Sequence, residues 1–202
     1  MKSTTQLDIE GFSIDRDTHF QCFGGEPFYP VDPTRSLSRI TIETIAVVLS
    51  RICRFQGRTK RFYSVAEHSL NVSGRLPKGL QLAGLLHDAH EAFSGFGDVC
   101  GTIKPAFIED IEGELDVAIA AKFRFDVESL WLPQVKEADA FMLAQERHWL
   151  LEESESSVDW GEVANIAADP EYSHLAIPTS ANEIRESFET KLRALLPRGV
   201  KR

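Results

Sequence analysis

The sequence predicts an all-α protein that begins with a short irregular or hairpin arm. From Thr41 onward, apolar residues recur at the three- and four-residue spacing of helices that bury one face. Ser64 and Ser180 are each followed three residues later by glutamate, which is the pattern of a capping box at a helix start. We therefore expect one globular domain, with a helical bundle over residues 41–202 and an arm over residues 1–40 packed on it.

The arm is rich in Phe, Gly, Pro and Asp, which favours turns. Its stretch Leu7-Asp8-Ile9-Glu10 alternates apolar and acidic residues, as a short strand does. We expect turns and a small hairpin here.

The first helix is predicted to begin at Thr41 as its cap, with Glu43 in the first turn. A charged, glycine-containing loop over residues 54–61 follows it. The pattern at Ser64 predicts a second helix that carries His68 near its start.

A third helix, apolar on most sides and central, is predicted from about Lys78 to Phe93. Further helices are expected from Pro105 to about Phe123 and from Val135 to Glu153, and a last one begins at Ser180. The acidic run at residues 152–159 is interpreted as a solvated helix end or loop.

The third helix would carry a cluster of metal-binding residue types. At 100° per residue, its four polar residues fall within less than half the circumference and can converge: His87, Asp88, His90 and Glu91. An adjacent His and Asp also arise by chance, and a lone His68 would more often face solvent. Two further residues on separate helices, His68 and Asp139, would complete a four-ligand set with His87 and Asp88.

Two imidazoles and two carboxylates favour a divalent Mn, Fe, Co, Ni or Zn ion over calcium. A carboxylate among apolar neighbours, as Asp139 is, needs a partner such as a cation. Water bound to such an ion becomes a nucleophile, which is the usual basis of hydrolysis at phosphorus.

Composition narrows the function classes. The chain is 43% hydrophobic and 26% charged, and no apolar run approaches the roughly 20 residues of a membrane span. Its start lacks the apolar core of a signal peptide, and its three cysteines are too scattered for a disulfide framework. We expect a cytoplasmic protein without membrane contact. The net charge of −9 argues against stable nucleic-acid binding.

An anionic substrate would therefore need a local basic cluster. The loop after the first helix supplies one, comprising Arg51, Arg54, Arg58, Lys60 and Arg61. Phe55 offers a face on which a base can stack, and Lys104 is a further phosphate candidate. The alternative interpretation of this cluster is a solvated charge run.

The order His68, His87-Asp88, Asp139 resembles the HD superfamily of metal-dependent phosphohydrolases. The stretches LSRICRFQGRTKRFYSVAEHS (49–69) and AGLLHDAHEAF (83–93) are similar to a branch of small HD proteins. That branch includes dATP triphosphohydrolases of phages and, more distantly, bacterial 5'-deoxynucleotidases. The resemblance covers roughly residues 32–147 and implies an HD-domain helical bundle.

The resemblance also implies residue roles. His68, His87, Asp88 and Asp139 would bind the metal. Glu91 would assist catalysis, and Asp98 would contact the sugar or the attacking water. Arg54-Phe55 would face the nucleotide. Glu91 and Asp98 lie further apart than is usual in the family, which leaves the role of Asp98 open. His90 has no matching ligand, so we expect it to hydrogen-bond behind the metal site.

We therefore expect a phosphohydrolase of (deoxy)nucleotides, either a dATP-like triphosphohydrolase or a 5'-deoxynucleotidase. Its cofactor would be divalent Co, Mn, Zn, Ni or Fe, with Mg²⁺ carried by the substrate as a further option. Its partners would be a small-molecule nucleotide and copies of itself in a homo-oligomer. The alternatives are a nucleotide-sensing module without hydrolysis and a di-iron oxygenase. The sequence leaves open the preferred base, the number of phosphates removed and the physiological metal.

Overall fold

A computed structural model describes residues 6–9, 12–152 and 159–200. Within these ranges the chain is mostly helical, which confirms the predicted fold class. Seven α-helices are present there: α1 Ile42–Leu49, α2 Val65–Arg75, α3 Gln81–Leu86, α4 Glu91–Ser94, α5 Ala106–Phe123, α6 Pro133–Leu150 and α7 Ala181–Leu195.

Short 3₁₀ helices connect several of these elements. They span Pro33–Ser36, Arg54–Gly57, Lys78–Leu80, Gly101–Ile103, Val127–Trp131, Gly161–Asn165 and Pro170–Ala176.

The N-terminal arm contains two small antiparallel hairpins, as its composition predicts in part. Strands β1 (Gln6–Ile9) and β2 (Phe12–Asp15) pair with Gln6 opposite Asp15. Strands β3 (Phe20–Gln21) and β4 (Pro27–Phe28) form the second pair. Glu10, the last residue of the predicted strand pattern, lies outside the described residues.

Two of the predicted helix caps have the expected geometry. The Thr41 hydroxyl accepts the N–H of Thr44, and Ser180 forms a complete capping box with Glu183. The box predicted at Ser64 is only half formed. Ser64 accepts the N–H of Glu67, but the Glu67 carboxylate pairs with Arg61 instead of returning to the backbone of Ser64.

The predicted continuous helix over residues 78–93 is wrong. The chain forms the 3₁₀ turn Lys78–Leu80, then α3, and then a tight turn over residues 87–90 before α4. Within that turn the N–H groups of Ala89 and Glu91 bond to carbonyls three residues earlier, which tightens the backbone relative to an α-helix. His87 and Asp88 therefore lie in a turn between two short helices.

Helix α5 begins directly after Pro105 and ends at Phe123, as predicted. Helix α6 ends at Leu150 because Leu151 has an extended backbone, so the predicted helix through Glu153 is too long. Residues 153–158, most of the acidic run, lie outside the described residues.

Helix α2 is central, since it packs against α3, α6 and α7. Its approach to α3 is close: a Cβ atom on Gly84 would lie 2.3 Å from Leu76 Cδ1 and 3.3 Å from the backbone of Ser73. A side chain at position 84 would push the two helices apart. This packing sets the start of α2, with His68, beside the end of α3, with His87.

No helix within the described ranges is both long and apolar enough to cross a membrane.

Candidate metal centre

Three separate elements bring together side chains of the types that bind metal ions. His68 lies near the start of α2, His87 follows α3, and Asp139 lies on α6. The Nε2 atom of His68 is 3.3 Å from Nε2 of His87 and 3.0 Å from Oδ1 of Asp139. The distance from His87 Nε2 to the same Asp139 oxygen is 3.8 Å. These three residues form a group that could hold a metal ion.

Asp88 lies at the edge of this group. Its Oδ2 atom is 3.2 Å from Nε2 of His87 and 3.7 Å from Nε2 of His68. Three of the four residues predicted as metal ligands therefore form one group, and Asp88 lies beside it, close to both histidines. Two imidazole nitrogens and two carboxylate oxygens are a donor set that suits a borderline divalent ion, so the residues fit the predicted cofactor class.

The electrostatics of the centre also favour a cation. Burial by itself would raise the pKa of Asp139, but the adjacent imidazoles of His68 and His87 hold that pKa well below its usual range. Burial and the charge of Arg54 oppose ionisation of His68, yet Glu146 and Asp139 raise its pKa to about 10. The carboxylates thus hold positive charge in a site that is closed to solvent around His68.

Glu146, which the sequence analysis missed, lies behind His68 and is fully buried. The Nδ1–H of His68 and the hydroxyl of Tyr63 both donate to Oε1 of Glu146. This bond fixes the His68 ring with Nε2 turned toward the centre, the common role of a carboxylate behind a metal-binding histidine. A signal was present: Glu146 lies seven residues after Asp139, on the same face of α6.

His87 is oriented in a similar way by the backbone. Its Nδ1–H donates to the carbonyl of Gly84 at 3.0 Å. Both histidines therefore have one ring nitrogen occupied by an acceptor and present the other, Nε2, to the centre.

A second group of metal-binding residue types adjoins the first. One ligand atom each from Asp88, His90 and Glu91 lies within 4.8 Å of the others. Glu91 is buried, and its Oε2 has no hydrogen-bond partner among the described residues. Burial, followed by the charges of Asp88 and Asp98, raises the pKa of Glu91 well above its usual value. Burial thus favours the protonated form of this carboxyl group.

His90 has the hydrogen-bonding environment predicted for it. Its Nδ1–H donates to Oδ1 of Asp116 at 3.0 Å, and its Nε2 is 3.8 Å from Glu112. Burial lowers the pKa of His90, but the bond to Asp116 and nearby carboxylates raise it to about 9.

Arg54 lies inside the centre and is almost fully enclosed, with a side chain that is 11% exposed. Its guanidinium is 3.2 Å from Glu146, 3.6 Å from Asp88 and 3.8 Å from Asp98. Burial opposes its charge, but the surrounding carboxylates raise the pKa of Arg54 further. The arginine that was predicted to face the nucleotide therefore also balances the charge of the carboxylates around the centre.

The loop after Arg54 is strained. Phe55 and Gln56 have φ angles of 52° and 53°, in the left-handed region that side chains other than glycine rarely adopt. The N–H of Phe55 donates to Oδ2 of Asp98 at 2.8 Å. Asp98 thus holds this loop, and with it Arg54, against the centre.

The other predicted substrate contacts lie further out. Arg51 and Arg58 are exposed, and Arg58 donates to the side chain of Gln56. Their roles toward a nucleotide stay predictions.

Two basic residues are already paired with carboxylates. Lys104 donates to both oxygens of Glu112 at 3.0 and 2.9 Å, and Arg61 forms a two-point pair with Glu67. The basic residues predicted as one cluster therefore have different surroundings. Arg54 lies among the carboxylates of the centre, whereas Arg61 pairs with Glu67 at the start of α2. The predicted phosphate contact of Lys104 would require it to leave Glu112.

Comparison with known proteins relates this chain to an uncharacterized bacterial protein. No family model matches the chain, so the resemblance to the HD superfamily stays a prediction. The chain is 35% identical over 127 residues to the uncharacterized protein YfdR of Escherichia coli (strain K12). The aligned part covers 62% of this chain and 68% of that protein.

Proposed function

This chain belongs to the family of the Escherichia coli protein YfdR, and we propose that it is a metal-dependent phosphohydrolase of the HD type that acts on (deoxy)nucleotides. One observation carries the proposal: His68, His87 and Asp139 from three separate elements form one group with Asp88 at its edge, and both histidines turn Nε2 toward that group.

His68, His87, Asp88 and Asp139 would hold the ion. When bound, a divalent ion supplies a Lewis acid for phosphate oxygen and lowers the pKa of a coordinated water. Glu146 and the Gly84 carbonyl keep the two imidazoles in the tautomer that this binding needs.

Glu91 suits proton transfer. Its buried carboxyl group has a raised pKa and one oxygen without a partner among the described residues, so its environment favours the protonated form that a general acid needs. Donation of that proton to the leaving oxygen of a phosphate ester is general acid catalysis. Arg54, beside Asp88, would offset negative charge that develops on the phosphoryl group.

The reaction is tested with purified protein and a panel of substrates. The protein would be loaded in turn with Mn²⁺, Co²⁺, Ni²⁺, Zn²⁺ or Fe²⁺ and given deoxynucleoside and ribonucleoside mono- and triphosphates. Release of phosphate from monophosphates indicates a nucleotidase, and release of tripolyphosphate indicates a triphosphohydrolase. Either product supports the proposal, and metal-loaded protein that hydrolyses no nucleotide refutes it. Tight nucleotide binding without turnover would favour a sensor.

A matched pair of variants on α6 controls this assay. Asp139→Asn removes a proposed ligand and should abolish metal binding and turnover together. Glu137→Gln makes a similar change at an exposed position of the same helix and should alter neither.

The expected homo-oligomer is a separate proposal. Size-exclusion chromatography with light scattering measures the mass directly, and a value equal to one 22.6 kDa chain would refute it.

A further inference from the structure

A cavity of about 310 Å³ lies beside the metal centre, between the N-terminal arm and the helices α1 and α4. Glu91 forms part of its wall and also belongs to the polar group with Asp88 and His90. A molecule that fills the cavity would therefore have one end next to the centre.

The walls of the cavity are mostly apolar. Phe20 and Phe23 from the arm face Val48 and Ile52 from the region of α1, and the polar side chains on the wall are Gln21 and Glu91. Binding sites for small organic molecules typically combine such a lining with a few polar groups. Aromatic side chains on the wall suit a flat ring.

The arm is fixed in place by a stack of aromatic rings. The Phe20 ring stacks on Phe28 at 5.7 Å between centroids, and Phe28 stacks on Phe93 at 4.8 Å. Phe93 lies on α4, two residues after Glu91. The wall that the arm provides is therefore held at a defined position relative to the centre.

The N-terminal arm also packs closely against the end of α4. Gly95 has a φ of +83°, and a Cβ atom there would lie 3.6 Å from the Phe20 ring. The left-handed conformation suits glycine and lets the chain turn away beneath the arm.

We infer that this cavity, and not the Phe55 ring that the sequence suggests, binds the base, which would lie against Phe20 and Phe23. The phosphate of the nucleotide would then be directed past Glu91 to the metal centre. This inference rests on the proposed function, and it gives the N-terminal arm a role in substrate selection. A nucleoside has the flat ring that stacks on phenylalanine and edge groups that the Gln21 amide can pair with. Its phosphate is the group that the adjoining centre would take.

A pair of matched substitutions tests the inference. Phe23 is 44% exposed and lines the cavity, whereas Phe62 is 41% exposed and lies outside it. Phe23→Ala should raise the KM for the hydrolysed nucleotide about tenfold, the scale of one lost base–aromatic contact, with little change in kcat. Phe62→Ala should leave both constants unchanged. Deoxyribose 5-phosphate, which lacks the base, should compete equally well in all three proteins.

The two proposals fail in different ways. If the wild-type protein hydrolyses nucleotides but Phe23→Ala leaves KM unchanged, or weakens deoxyribose 5-phosphate equally, the cavity is not the base site. If no nucleotide is hydrolysed, the proposed function fails first.

Calorimetry provides a readout without turnover. Titration with each of the four 2'-deoxynucleosides, which carry no phosphate, should detect at least one that binds wild-type and Phe62→Ala protein and binds Phe23→Ala about tenfold more weakly. Val48→Phe, which places a ring in the cavity, should also weaken that binding. Binding of no deoxynucleoside, or equal binding by all four proteins, would overturn the inference.

Discussion

The Nδ1–H of His68 donates to Oε1 of Glu146, and neither side chain is exposed to solvent. Because the same carboxylate also accepts from Tyr63 and pairs with Arg54, it joins a proposed metal ligand to the charge balance of the whole centre. Glu146 is thus as well placed to control the centre as the ligands themselves.

Glu146→Gln should weaken metal binding by about 10- to 100-fold, because a neutral amide supports the His68 imidazole less strongly than a carboxylate does. Metal affinity would be measured by competition with a chromophoric chelator. Glu137→Gln, on the exposed side of α6, should bind metal like the wild type. Equal affinities in the two variants would show that Glu146 does not tune His68.

Arg54→Met should destabilise the protein by about 3–5 kcal/mol, because it leaves the fully buried Glu146 without its cationic partner. Arg51→Met removes an exposed arginine nearby and should change stability by less than about 0.5 kcal/mol. Urea denaturation of both variants without added metal measures the difference. A small effect at Arg54 would mean that the carboxylates are protonated or solvated.

The positions of the helices could be predicted from the sequence wherever a helix buries one apolar face. Thr41, Pro105 and Ser180 mark true helix starts because caps and proline act through the local backbone. The break after Leu86 could not be predicted in this way, since residues 78–93 are apolar enough to continue as a helix. The break is set by the packing of α3 on α2 and by the tight turn over residues 87–90.

The residues of the candidate site also differ in whether the sequence alone could predict them. The four ligands could be proposed from the sequence because histidines are few, with six in the chain, and the adjacent His87-Asp88 pair lies between His68 and Asp139. Glu146 was missed because one glutamate on a charged helix resembles any surface residue, and only its burial against His68 distinguishes it. Charge alone places Arg61 in the basic cluster and makes Lys104 a candidate phosphate contact, whereas their pairing with Glu67 and Glu112 depends on the tertiary fold.

Asp98→Ala should release the strained turn after Arg54, because the N–H of Phe55 loses its acceptor. We expect the KM for the nucleotide to rise about tenfold while metal content stays unchanged, since a loop hydrogen bond of about 1–2 kcal/mol is lost. Asp98→Asn, which keeps an acceptor oxygen, should behave closer to the wild type. If Asn is as damaging as Ala, the negative charge of Asp98 matters in addition to the hydrogen bond that it accepts from Phe55.

The capping box of α7 gives a pH dependence away from the centre. Hydrogen bonds from Ser180 lower the pKa of Glu183 below its usual value of 4.5, so Glu183 stabilises the fold above that pH and loses its contribution as the pH falls through the lowered value. The difference in melting temperature between wild type and Glu183→Ala should therefore shrink on acidification from pH 7 to pH 3. Glu186→Ala, also exposed on α7, should show little difference at either pH.

The last prediction separates Asp88 from Glu91, which lie less than one helical turn apart in the sequence but have different proposed roles. Asp88→Ala removes a proposed ligand, so metal content and turnover should fall together, along with any stability that the metal confers. Glu91→Gln should leave the metal bound while lowering kcat by about 10²-fold or more, the usual scale for a lost general acid.

Elemental analysis and kinetics on the same samples distinguish these outcomes for Asp88 and Glu91. Full activity in Glu91→Gln would exclude proton transfer by Glu91, and Asp98 would become the next candidate because it also lies beside Arg54. Metal retention and normal turnover in Asp88→Ala would contradict the assignment of a metal site to the turn between α3 and α4. Because Asp88 adjoins both polar groups, its substitution tests the two groups together.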